Sequence, residues 1–155
     1  VRFDPIGRAL SAEVIVLVAA SIALGRTLLE TGAAAWLGQW LSIGLGPLPP
    51  AAILAAVMSF AALLTNFSSN TAAAAVTTPI AVSVAMEIGM PPEPLVIAVL
   101  FGCNLCYATP VAYQTYILIM SAAGYQFRDF VRAGGPLVLI MVVTLSLALV
   151  AKYQL

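Results

Sequence analysis

Residues 51–86 form one apolar stretch, and in its middle stand Thr65, Asn66, Phe67, Ser68, Ser69, Asn70 and Thr71. A mostly polar segment at that place interrupts any helix running through the stretch. As helices, the flanks 51–64 and 72–86 would each rise only ~21–22 Å, against a hydrocarbon core of ~30 Å. By that length neither flank spans a bilayer. Irregular backbone at such depth persists only where protein or a water-filled cavity covers it. The pattern therefore predicts a re-entrant helical hairpin over 51–86, with a polar tip at 65–71.

A bilayer enters the argument because the chain is 63% hydrophobic and only 8% charged, with a mean hydropathy of +1.08, far from the balance of an ordinary globular domain. An all-α, polytopic protein of the plasma or inner membrane is expected. Six basic residues balance six acidic ones, which gives no reason to expect a nucleic-acid partner. There is no histidine, so the commonest metal ligand and the side chain best suited to proton work near neutrality are both missing. No nucleophile has a histidine or carboxylate near it in the sequence pattern, and enzymatic chemistry is not expected. Cys103 and Cys106 form a C-x-x-C, but no second ligand pair and no βαβ context accompany them; they read as small buried packing residues. The chain begins at Val1, and its first ten residues lack the basic region and cleavage site of a signal peptide, so they read as an internal or truncated start.

Residues 11–29 predict a spanning helix, with Glu13 and Arg26 near its ends, where long charged side chains reach the headgroups. Residues 31–45, too short to cross and carrying Trp36 and Trp40, predict a helix along the interface. Prolines at 47, 49 and 50 and at 91, 92 and 94 bracket the hairpin, where a chain turning at the membrane surface needs helix stops. A second apolar run, 95–123, is broken at 107–110; there Thr109 suits an N-cap and Pro110 the first helical position. Residues 124–135 read as a polar loop and 136–151 as a last span. Arg2, Arg8, Arg128 and Arg132, four of the six basic residues, share one side of the membrane if the hairpin makes zero or two crossings.

Both breaks put a helix C-terminus beside a helix N-terminus. Free N–H groups at the N-terminus attract a carboxylate, sulfate or phosphate, and free carbonyls at the C-terminus attract a small cation. No Arg, Lys, Asp or Glu falls in either break. An anion would be held by neutral donors at Ser69, Asn70, Thr71 and Thr109, which favours release as well as capture. Sodium would sit among the carbonyls of Thr65, Ser68 and Ala108 and the side-chain oxygen of Asn70, the oxygen ligands a hard cation prefers. Short broken segments of this kind are the layout expected of an ion-coupled secondary transporter.

Several motifs carry a family resemblance. They are Ser69, Asn70 and Thr71 followed by Ala72 to Ala75 and Pro79; Ala108, Thr109 and Pro110 before Tyr113, Gln114 and Thr115; residues 124–130 with Arg132; and residues 23–32. Together they resemble the second half of a divalent anion:sodium symporter, the family of sodium/sulfate and sodium/dicarboxylate carriers. The resemblance covers about residues 11–152. It implies one of two inverted repeats in a homodimeric carrier that moves a transport domain against a scaffold. The missing first repeat would supply the other half of the substrate site and the other sodium site. It also implies that Ser69, Asn70, Thr71, Thr109 and Pro110 meet the anion, and that Thr65, Ser68, Asn70 and Ala108 line a sodium site. The implied orientation puts the start of the hairpin outside and the Arg128/Arg132 loop in the cytoplasm. Asn66 stands where dicarboxylate-selective members often carry an acidic residue, which leans the expected substrate toward sulfate-like anions. Tyr116 departs from the asparagine that commonly follows the Tyr-Gln-Thr element.

Other readings compete with a sodium symporter. Ser, Thr and Asn in membrane helices also serve simply to hydrogen-bond a neighbour. A proton-coupled or oxyanion-exporting carrier of the wider ion-transporter superfamily is one alternative, disfavoured by the lack of acidic residues in the breaks. A truncated, non-transporting membrane segment is another.

Overall fold

The computed structural model describes residues 12–155; residues 1–11, with Arg2 and Arg8, lie outside them. The described residues are helical, in the order α1 (Ala12–Glu30), α2 (Ala33–Leu45), α3 (Pro50–Thr65), α4 (Asn70–Ile88), α5 (Pro92–Asn104), a short 3-10 helix (Pro110–Ala112), α6 (Gln114–Ala123) and α7 (Phe127–Tyr153). The prolines act as helix starters: Pro50 and Pro92 open α3 and α5 at positions whose N–H would have no helical partner anyway. Gly89, at φ 71, ends α4 in the left-handed conformation that a side chain resists, and its N–H returns to the Ala85 carbonyl.

α3 and α5 form the centre, with α4 packed on α5, α2 and α1, and α7 packed on α3 and α5. Leu54, Met58, Val84, Leu95 and Val99 fill the interior. The helices approach through small residues, as expected where apolar side chains gain nothing by leaving lipid. A Cβ on Gly102 of α5 would lie 2.5 Å from the Met58 carbonyl oxygen and 2.8 Å from the Ala61 Cβ of α3. One on Gly38 of α2 would lie 2.7 Å from the Ser83 Cβ of α4. Ala73, in the alanine run read as a packing surface, is buried, and Gly25 of α1 sits close to the Ala75 carbonyl. Large apolar side chains such as Ile22, Leu63, Leu100, Leu139 and Leu147 point outward. Trp36 and Trp40 also face outward from α2, with ring centroids 6.0 Å apart. At the far end of α7 the Tyr153 hydroxyl donates to Glu93 at the start of α5 at 2.7 Å.

Several boundaries differ from the sequence reading, and the break expected at 107–110 extends from 105 to 113 between α5 and α6, with only the 3-10 helix inside it. The second arm of the expected hairpin is α4, with 19 residues rising ~28 Å, and not 72–86 alone. It and α7 are long and apolar enough to cross a membrane, so length does not exclude a span for this arm. The expected loop at 124–135 shrinks to 124–126, because α7 begins at Phe127 and runs through Gly134, Gly135 and Pro136. A capping box explains the early start. The Asp129 carboxylate accepts the Gln126 N–H at 2.9 Å, and the Gln126 side chain answers the backbone at Asp129.

Replacing Gly102 by Ala is expected to destabilise the protein by ~1–3 kcal/mol through overpacking, read from thermal unfolding in detergent. The buried Ser146 hydroxyl has no hydrogen-bond partner among the described residues. Ser146→Ala is therefore expected to leave the unfolding temperature unchanged or raise it, by up to ~1 kcal/mol of stability.

Candidate binding site at two helix breaks

α3 ends at Thr65, and residues 66–69 turn the chain into α4. Ser69 is the N-cap of α4: its side chain accepts the Ala72 N–H at 3.2 Å, and its carbonyl accepts the Ala73 N–H at 2.9 Å. The amides of Asn70 and Thr71 are left without a helical acceptor at the positive end of a long helix. α5 ends at Asn104, and the chain from 105 to 109 is irregular before the 3-10 helix.

The two breaks are tied to each other. The Thr109 hydroxyl donates to the Asn66 carbonyl at 2.7 Å and lies 3.3 Å from the Asn66 side-chain oxygen. The Asn66 amide donates to the Ala62 carbonyl at 2.7 Å and reaches the Leu105 carbonyl at 3.4 Å. The Thr65 hydroxyl lies 2.7 Å from Asn70 Oδ1 and 2.9 Å from the Cys103 carbonyl. Thr65, Asn66 and Thr109 are all buried, and a buried polar group without a partner is costly. Each break therefore supplies what the other lacks, an acceptor for a hydroxyl or a donor for a carbonyl.

Among the residues expected to form a site, Thr65, Thr109 and Pro110 are buried, Asn70 and Ala108 are half-buried, and Ser68, Ser69 and Thr71 are exposed. Thr65, Asn70 and Thr109 are brought together with Cys103 and Asn66 by the bonds above. The Ser68 hydroxyl turns back to the Leu64 carbonyl at 3.0 Å. Among the described residues no donor reaches the carbonyl oxygens of Thr65, Ser68 or Ala108, so they keep their lone pairs. Thr109 is corrected in role: it precedes the 3-10 helix but makes no cap bond, because its hydroxyl goes to Asn66. No α-helix starts at Pro110, and α6 begins only at Gln114. One long-helix N-terminus, that of α4, thus faces the site rather than two.

Asn66 as the tie between breaks was missed from sequence. Its signal was available: a polar side chain just past a helix end in an apolar chain needs partners. Also missed was a cavity of about 440 Å³ beside the second break, lined by Tyr107, Tyr116, Tyr125, Phe130, Asp129 and Gly134 among others. The Tyr116 and Phe130 rings meet there with centroids 6.1 Å apart. Cys103 and Cys106 are free and buried, and no group of His, Cys, Asp and Glu among the described residues could hold a metal ion.

Thr109→Val keeps the shape but leaves the buried Asn66 carbonyl without its donor. It is expected to cost ~1–3 kcal/mol, seen as a lower unfolding temperature in detergent, while Thr109→Ser stays close to the parent.

Residues 1–153 match the citrate transporter (CitMHS) family. The chain is 33% identical over 141 residues to an uncharacterized transporter of Synechocystis, covering 91% of this chain and 23% of that protein. It is 28% identical over 152 residues to sodium/sulfate cotransporter 1 of Chlamydomonas reinhardtii, covering 97% of this chain and 17% of that protein. With the Na(+)/dicarboxylate cotransporter 3 of Mus musculus it shares 29% identity over 136 residues, 88% of this chain and 22% of the relative. The chain thus spans less than a quarter of the length of these relatives. A match over almost its whole length places it in the citrate transporter family, whose relatives include sodium/sulfate and sodium/dicarboxylate cotransporters, and makes it an integral membrane protein.

Proposed function

We propose that this chain is one of two inverted repeats of a sodium-coupled carrier that moves a small divalent anion, sulfate or a dicarboxylate, by alternating access. The observation that carries the reading is the tie between the breaks. It joins Thr65 to Asn70 and Cys103, and Asn66 to Leu105 and Thr109, without any charged group, and in this reading the carbonyls of Thr65, Ser68 and Ala108 and the amides of Asn70 and Thr71 serve one site. The names of the relatives support sodium as the coupling ion and sulfate or dicarboxylate as the cargo.

In this reading α3 and α4 form a re-entrant hairpin in which residues 103–109 cover Thr65 and Asn66, and the first repeat covers the exposed Phe67, Ser68 and Ser69, as irregular backbone at membrane depth requires. α2 lies along the interface through Trp36 and Trp40. Sodium is held by the carbonyls of Thr65, Ser68 and Ala108 and by Asn70 Oδ1, and the donor set fits it: oxygens only, and no carboxylate to bind a divalent ion more tightly. The anion meets Ser69, Asn70 and Thr71 at the α4 N-terminus, with Thr109 and Pro110 as the wall from the second break. With no fixed positive charge among these residues, anion binding depends on sodium beside it, which couples the two. The first repeat completes the site, and the carrier works as a homodimer.

Uptake of radiolabelled sulfate, succinate and citrate into proteoliposomes tests this, using the longest reading frame that contains this chain. Sodium-gradient-driven uptake of one anion is expected; uptake of all three at the same rate without sodium would overturn the coupling. Asn70→Ala is expected to raise the half-saturating concentrations of both sodium and anion by about tenfold, the loss of one well-placed hydrogen bond or ligand. A rise for the anion alone would remove Asn70 from the cation site.

A further inference from the structure

At Gly134 the last helix comes directly against the second break. Gly134 is buried in α7, and a Cβ there would overlap the Tyr107 carbonyl oxygen, lie 2.6 Å from the Tyr107 carbonyl carbon and 3.0 Å from the Ala108 Cα. All three neighbours are backbone, so no side chain can rotate away to make room. Glycine is a poor helix former, and Gly134 has no positive φ that would demand it. Close approach is what accounts for its presence. Gly135 is the internal contrast, for a Cβ at that position meets nothing within 4 Å.

The Tyr107–Ala108 peptide lies between an anchor and a void. Beyond it, Thr109 is anchored to Asn66, and beside it lies the cavity of about 440 Å³ that Tyr107 and Gly134 both line. Where a peptide borders a void, the atoms that do touch it decide where it sits. We propose that Gly134 is a positioning residue for the cation site: the bare backbone of α7 at this point sets where the Ala108 carbonyl lies. The proposal rests on the sodium-carrier reading above. It makes α7 part of the unit that holds the ion, although none of its side chains is a ligand.

The test compares Gly134→Ala, Gly135→Ala and Gly38→Ala in the intact carrier. Three quantities are measured: the half-saturating sodium concentration at saturating anion, the maximal uptake rate, and the unfolding temperature. Gly134→Ala is expected to raise half-saturating sodium by about tenfold, the scale of forcing one extra methyl into a packed site. Gly135→Ala, which only improves helix propensity, is expected to stay within about twofold of the parent. Gly38→Ala, which crowds α4 at Ser83, ~20 Å along the helix from Asn70, is expected to lower the unfolding temperature with its sodium requirement within about twofold. A folded Gly134→Ala carrier with unchanged sodium dependence, or an equal rise in Gly38→Ala, would overturn the proposal.

Should Gly134→Ala fail to fold, hydrogen exchange on the unmodified carrier decides. Sodium is expected to slow exchange in residues 104–109 and 131–137 together, but not in 143–150; slowing confined to 104–109 would overturn the role of α7. A carrier whose uptake ignores sodium altogether would remove the sodium reading and this inference with it. Unchanged sodium dependence in the variant alone removes only the inference.

Discussion

Breaking a helix inside an apolar chain frees backbone groups that lipid cannot satisfy, and in this protein two such breaks answer each other. The Asn66 carbonyl accepts a hydrogen bond from the Thr109 hydroxyl, the Asn66 amide reaches Leu105, and Thr65 reaches Cys103. None of these groups is ionised, so the tie avoids the desolvation cost that a buried charge pair would carry. The arrangement of the surrounding helices follows from it. α3 and α5, which end at the two breaks, form the centre of the bundle, and α4 and α7 pack against them.

Beside the large side chains that fill the interior, the closest approaches between elements are made at glycines. Gly102 lets α5 lie directly on α3, Gly38 lets α2 lie on α4, and Gly134 lets α7 lie on the irregular segment. Backbone-to-backbone approach leaves few rotamers to adjust, so the position of one element is passed to the next with little slack. The cavity beside Tyr107 is an exception, a place where the second break borders open space.

Much of the helical order was legible in the chain because its signals are local. The proline clusters were read as stops that bracket the hairpin, and in the structure Pro50 and Pro92 open the helices that follow those turns, while Gly89 as a helix end and Ser69 as the cap on Ala72 came from the structure. The failures were of two kinds. Gly134, Gly135 and Pro136 look like a loop when read alone, yet the box formed by Gln126 and Asp129 starts α7 before them and the helix runs on. Thr109 and Pro110 look like a helix start, but the Thr109 hydroxyl is claimed by a carbonyl 43 residues earlier. A contact at that separation outweighs a local preference worth ~1 kcal/mol. The role of Gly134 was hidden for the same reason, since its reason for being glycine lies in a different segment of the chain.

Thr65 carries one hydroxyl proton and stands between two oxygens, Asn70 Oδ1 and the Cys103 carbonyl. One proton cannot serve both at full strength. The hairpin tip and the end of α5 therefore compete for a single hydrogen. Any turn of the Asn70 side chain that withdraws its oxygen would leave that hydrogen to the Cys103 carbonyl and bind the first break more closely to α5.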